Sequence, residues 1–177
     1  MEKKRMSEVR RVVTGQSKNG RAVISSDGAV PVVFGSEGGP ILFEIWKTMQ
    51  TPSLLTDAHE EPAEGPLTLK PPAGGSVFRI SIIPPDSEMA EAEHHEIFDQ
   101  LGDSTNGDDH SAQMHRTNTI DFAIVMKGSI TLVVDEGETE LKAGDVVVQR
   151  GANHAWSNRG SEPCHMAFVM IDARYPS

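Results

Sequence analysis

Three side chains in the C-terminal half of the sequence have the types to share a site: His115, Asp121 and His154. Two imidazoles and one carboxylate are able to hold a divalent transition metal on one face and leave positions open for water or substrate. Without a metal, a histidine beside a carboxylate is a general acid–base pair, and the carboxylate favours the charged imidazole, which moves its pKa across neutrality. The plainest alternative is that the three merely hydrogen-bond one another. His115 and Asp121 are six residues apart in the sequence, which on an unbroken strand would separate them by ~20 Å. They meet only if the chain bends between them. Asn118 and Thr119 suit a bend, because short polar side chains bond back to the local backbone.

The segment that carries Asp121, Ile120 to Met126, alternates as a strand does. Ile120, Phe122, Ile124 and Met126 lie on one face and are expected to pack, while Asp121, Ala123 and Val125 lie on the other and leave room beside the carboxylate. Gly144-Asp145 and Arg150-Gly151 read as turns around a strand at Val146–Gln149. His154, Trp156 and Asn158 then share one face of the next strand. Trp156 there either stacks on a flat substrate or packs in the core with its indole nitrogen satisfied. Val77 to Ile83 alternates too: Phe78, Ile80 and Ile82 face packing, so Arg79 points the other way. In a barrel that direction is the cavity, where Arg79 would bind a substrate carboxylate through two parallel hydrogen bonds; the alternative is an edge arginine paired to a surface carboxylate.

The stretches MHRTNTIDFAIVMKG (114–128) and GDVVVQRGANHAWSN (144–158) resemble the two motifs of the cupin superfamily, H-x-H-x(3,4)-E-x6-G and G-x5-P-x-G-x2-H-x3-N. His115 matches the first histidine, Thr117 stands where the second belongs, Asp121 replaces the glutamate, and Gly128 keeps the spacing. Gly144, Gly151, His154 and Asn158 match the second motif; Gln149 replaces the proline and the first gap is one residue short. The resemblance covers about residues 77–172 and implies an all-β double-stranded β-helix, a jelly-roll barrel. It implies a divalent transition metal (Fe, Mn, Ni or Zn) on His115, Asp121 and His154, held more loosely because Thr117 is a poor ligand. It also implies a small-molecule enzyme of lyase type, decarboxylating or dehydrating an oxygenated organic acid or polyketide-like compound. His115 or His154 would move the proton, Asp121 would bind metal or orient a histidine, and Arg79, Trp156, Thr117 and Gln149 would contact substrate. A metal-dependent dioxygenase and a non-catalytic ligand-binding or sensor cupin are the alternatives.

The 177 residues fit one structural domain, read as an N-terminal β extension and Pro-rich loop over 1–76 and a barrel over 77–177. Strands are expected at 10–13, 21–25 and 41–47, a long loop at 48–75 with a helical turn at 53–58, and one helix at 88–101 capped by Ser87. His59, His94 and His95 read as surface residues; His110, just ahead of the first motif, is able to swing toward the site. The formal net charge of −10 argues against nucleic acid and anionic membranes as partners. No long apolar run marks a membrane span, and the charged Met1–Arg11 segment is no secretory signal. With a single Cys164 an internal disulfide is excluded, and a cytoplasmic location is expected. A homodimer through residues 9–46 is expected as well.

Overall fold

The computed structural model describes residues 9–35, 38–55, 67–89, 101 and 114–176. Its elements are strands: β1 (Arg10–Gln16), β2 (Ala22–Ala29), β3 (Val32–Phe34), β4 (Ile41–Thr48), β5 (Ser76–Ile83), β6 (Thr119–Lys127), β7 (Ser129–Val134), β8 (Gly137–Lys142), β9 (Val146–Arg150), β10 (His154–Ser157) and β11 (Cys164–Asp172). They are rich in Val, Ile and Thr, whose branched side chains fit a pleated surface. A six-stranded sheet in the order β3-β4-β5-β11-β6-β9 faces a three-stranded one in the order β10-β7-β8, and β1-β2 form a separate hairpin. The fold is an all-β jelly roll, and β3 and β4 belong to its larger sheet.

The turns are set by glycine. Gly128 (φ 81°), between β6 and β7, and Gly144 and Gly151 (φ 97° and 67°), on either side of β9, occupy the left-handed region, which a Cβ disfavours. At Gly128 a Cβ would also come within 3.2 Å of the Cys164 backbone.

The helix expected at 88–101 does not begin where the sequence put it. Asp86–Glu88 form a single 3₁₀ turn with no side-chain cap, and Met89 is already extended; Pro84-Pro85 and the Asp86 contacts described below fix that geometry instead. Residues 90–100, and with them His94 and His95, lie outside the described residues, as do His59 and His110.

The interior between the sheets is built on Val77, Ala123, Val125, Ile130, Cys164, Met166, Phe168 and Met170. On β6 the buried face is therefore the one that carries Asp121, Ala123 and Val125. Ile120, Phe122, Ile124 and Met126 point outward and are exposed, against the expectation that the larger row packs. The cavity-lining row of β6 must stay small, since β11 supplies the bulk with Met166, Phe168 and Met170 across from it. The outer face of β4 and β5 is covered differently. There Phe43, Ile45 and Ile82 pack with Val30 and Val9 at the base of the β1-β2 hairpin, and the Arg11 guanidinium donates to the Ile45 carbonyl at 3.1 Å while lying over the Trp46 ring.

Asn158 closes the chain behind β10. Fully buried, it donates from Nδ2 to the carbonyls of Ile83 and Glu162 at 2.9 and 3.0 Å, and accepts from the Gly160 N–H at 3.0 Å. Its own N–H donates to Asp86, which also takes the Ser157 hydroxyl at 2.6 Å. Asn158→Ala removes both carbonyls' donor at once, and each buried polar group left unpaired costs about 1–3 kcal/mol. The expected loss is about 2–4 kcal/mol in urea denaturation, with an unchanged m-value.

Candidate functional site

A cavity of about 140 Å³ lies between the sheets, with His115, Thr117, Asp121, His154, Trp156 and Arg79 among its lining residues. Its other walls are mostly apolar, contributed by residues such as Leu42, Ile83, Leu101 and Phe168. A void on the order of 150 Å³ takes a small ring compound, so the size suits one ring or a short chain.

Backbone pairing brings the two histidines together. His115 forms a reciprocal bridge with His154, N–H to carbonyl at 2.9 and 3.0 Å in the two directions. The segment before the Asn118 bend thereby adds one rung to the edge of β10. The imidazole rings then face each other with centroids 4.3 Å apart, tilted by 50°. The bend is held from behind, where the Ala173 N–H donates to the Asn118 carbonyl.

His154 is almost completely buried, and its Nδ1 lies 2.9 Å from the Ala152 carbonyl. A carbonyl only accepts, so Nδ1 carries the hydrogen and a neutral His154 keeps its lone pair on Nε2. Burial, with a positive charge on His115 as the second cause, pulls its pKa down to about 4. Gln149 donates to the same Ala152 carbonyl at 3.4 Å. It is buried next to Asp121 in the β6-β9 register but does not line the cavity.

Asp121 moves the other way: burial raises its pKa, and a hydrogen bond from Thr119 opposes the rise. Thr119 in turn shares a 2.7 Å hydroxyl–hydroxyl bond with Thr117, in which either oxygen is able to donate. Thr117 is thus engaged with Thr119, a residue whose part the sequence did not announce. The Asp121 Oδ1 atom is buried and has no hydrogen-bond partner.

Arg79 reaches the cavity wall with its charge already matched. One terminal nitrogen donates to Glu44 Oε2 and to the Thr68 carbonyl, both at 2.7 Å; Glu44 stands opposite Arg79 in the β4-β5 register and is itself buried. Burial lowers the Arg79 pKa, with the Glu44 bond and charge working against it. Its Nε is buried and unpaired. Trp156 stands edge-on to both His154 and Phe168, wedged into the core as well as the cavity. Cys164 is fully buried and its thiol is pushed up to about 11, which suits a packing role.

Among the described residues the donor set does not make up a metal site. Among the described residues no three His, Cys, Asp or Glu side chains are grouped to hold one ion. Two imidazoles come together, but Asp121 does not complete a set with them, and the position of the missing histidine holds the hydrogen-bonded Thr117.

The Cupin domain family matches residues 105–171. A phomopsin biosynthesis cluster protein of Diaporthe leptostromiformis is 31% identical over 173 residues, covering 93% of this chain and 78% of that protein. The chain belongs to the cupin superfamily. This cupin is also 29% identical over 176 residues to a cupin-domain-containing oxidoreductase of Aspergillus ruber, covering 94% of this chain and 74% of the relative. Over 62 residues it is 45% identical to an oryzines biosynthesis cluster protein of Aspergillus oryzae, covering 34% and 35% of the two chains. Among the described residues no helix is long and apolar enough to cross a membrane.

Proposed function

We propose that this cupin is a small-molecule enzyme that removes water or carbon dioxide from an oxygenated, largely apolar compound by proton transfer. The observation that carries the reading is the polar corner of the cavity: paired imidazoles, one with its lone pair fixed on Nε2, and a carboxyl with one oxygen unpaired, inside otherwise apolar walls. Environments that push two titratable groups in opposite directions separate a base from an acid. In a dehydration, His154 Nε2 takes the proton from the carbon next to a carbonyl. The C–O bond of the β-hydroxyl breaks as the Asp121 carboxyl donates its proton to the departing oxygen. A carbon–carbon double bond forms, water leaves, and the proton returns from imidazolium to carboxylate. The unpaired Arg79 Nε is a donor for the substrate carbonyl, while the Glu44 pairing disfavours a free anionic group there.

Relatives named as biosynthesis cluster proteins support a substrate that is a biosynthetic intermediate. Relatives named as oxidoreductases favour a second reading, in which the cavity hosts a redox step. The two separate in one experiment. The purified chain is incubated with a panel of β-hydroxy ketones and β-keto acids, with and without added Fe, Mn, Ni or Zn, and products are followed by mass spectrometry. Loss of water or carbon dioxide without added metal is the expected result. Turnover only with metal and oxygen sinks the acid–base reading in favour of a dioxygenase. Binding with no turnover under any condition leaves a ligand-binding cupin.

A further inference from the structure

We propose that Tyr175, in the segment that follows β11, is a positioning residue for His154: its hydroxyl fixes the turn whose next carbonyl keeps the imidazole hydrogen on Nδ1. The bearing of this on catalysis rests on the reading of His154 as the base; its bearing on the tautomer does not. The segment ties together three parts of the chain. At its start the Gly74 N–H donates to Asp172 Oδ2 at 2.7 Å, and the Asp172 N–H donates to the Gly75 carbonyl at 3.0 Å. One residue on, the Ala173 N–H holds the Asn118 bend. Two residues further, the Tyr175 hydroxyl donates to the Gly151 carbonyl at 2.5 Å. The bend after His115 and the turn before His154 are thereby laced to one short stretch of backbone.

Gly151 is shaped to admit the phenol. A Cβ at this position would come within 2.8 Å of the Tyr175 hydroxyl oxygen and 3.4 Å of the Thr117 carbonyl. The turn is therefore sandwiched between the phenol on one side and the backbone of the first motif on the other, and any side chain at 151 would push the hydroxyl away. The Tyr175 residue is itself 54% exposed. Its ring adds little to the core, so its hydroxyl carries its contribution.

The bond to Gly151 fixes the peptide plane that leads into Ala152, because carbonyl and following N–H share one plane. On the far side, the His154 backbone is fixed by its bridge to His115. Ala152 is held from both ends, and its carbonyl, 2.9 Å from His154 Nδ1, has a set direction. Which ring nitrogen of a histidine carries the hydrogen follows from the bond the other one makes. Once the plane is free to rotate, Nδ1 loses its acceptor and the hydrogen moves to Nε2, the nitrogen that a base needs bare. Gln149, which reaches the same carbonyl at 3.4 Å, is too long a contact to hold it alone.

Nitrogen-15 NMR of the imidazoles in the full chain at pH ~8, where an ordinary histidine is neutral, separates the two tautomers. The His154 signals are those missing from His154→Gln. The wild type should carry its hydrogen on Nδ1. Tyr175→Phe keeps the ring and loses the donor; it should move the tautomer ratio toward Nε2–H about 3–10-fold, the equilibrium worth of one net hydrogen bond, and lower kcat on a converted probe with KM little changed. Tyr175→Leu loses the ring as well and should give the same ratio. Tyr175 is the only tyrosine in the chain, so expression with 3-fluorotyrosine alters this phenol alone, keeps its hydroxyl and should keep the wild-type tautomer. A folded Tyr175→Phe chain with the wild-type tautomer overturns the proposal, whatever its rate. So does a wild type with its hydrogen on Nε2, or a ratio that shifts in Tyr175→Leu and not in Tyr175→Phe. A shifted tautomer in a chain that converts no probe upholds the role of Tyr175 and removes His154 from catalysis, which tells the two failures apart.

Discussion

Glu44→Gln should destabilise the fold by about 3–5 kcal/mol, the cost of stripping one partner from a buried ion pair. Glu44 and Arg79 side chains are 2 and 4% exposed and meet at 2.7 Å. With the negative charge gone, the guanidinium charge stays buried against neutral acceptors alone, the amide oxygen at position 44 and the Thr68 carbonyl. Arg79→Met leaves the converse problem, but a smaller one, because Lys47 sits 3.7 Å from Glu44 Oε1. The expected order of stability in urea is therefore wild type, then Arg79→Met, then Glu44→Gln. The double variant Glu44→Leu, Arg79→Met should recover most of the loss, since an apolar pair of similar volume replaces a costly ionic one. Single variants within 1 kcal/mol of wild type would show that the pair is hydrated and the cavity floor open.

The second large effect is on turnover. With whichever probe compound the chain converts, His154→Gln should lower kcat about 10²–10⁴-fold, the usual worth of a positioned general base. KM should change little, because Trp156 and the apolar walls remain. The pH profile carries the sign. A base works unprotonated, so a histidine with its pKa lowered to about 4 imposes no acid limb of its own above about pH 5. Its limb comes as pH falls through about 4, well below the ~6.5 of an ordinary histidine. An acid limb near 6.5 would assign the base to a different imidazole. Asp121→Asn keeps the shape and removes the transferable proton, so it should lower kcat without moving that limb.

Much of the fold was legible because its signals are local. Gly128, Gly144 and Gly151 each demand a left-handed backbone, and together with alternating strands they fix where the chain turns. The bend at Asn118 was legible as what folds His115 back toward Asp121; that a backbone bridge seats His115 against His154 was not. What stayed hidden depends on pairing across distance. Nothing in the sequence sets Glu44 opposite Arg79, 35 residues away, because that is decided by the β4-β5 register and its bulge. The outward turn of Phe122 and Ile124 was hidden for another reason. Both faces of β6 are apolar, so alternation marks a strand without saying which face goes in. The inward face is settled by how much bulk β11 already brings.

The two imidazoles owe their closeness to a single rung of backbone, the bridge between positions 115 and 154. Sheet edges open on their own well before a barrel melts. The amide hydrogens of His115 and His154 therefore report on one event: when that rung lets go, both exchange with solvent at once and the facing rings part company. Chemistry that needs the pair would then fade with warming or mild denaturant while the core around Ile130 and Met166 stays protected, so loss of activity and loss of fold would be separate transitions.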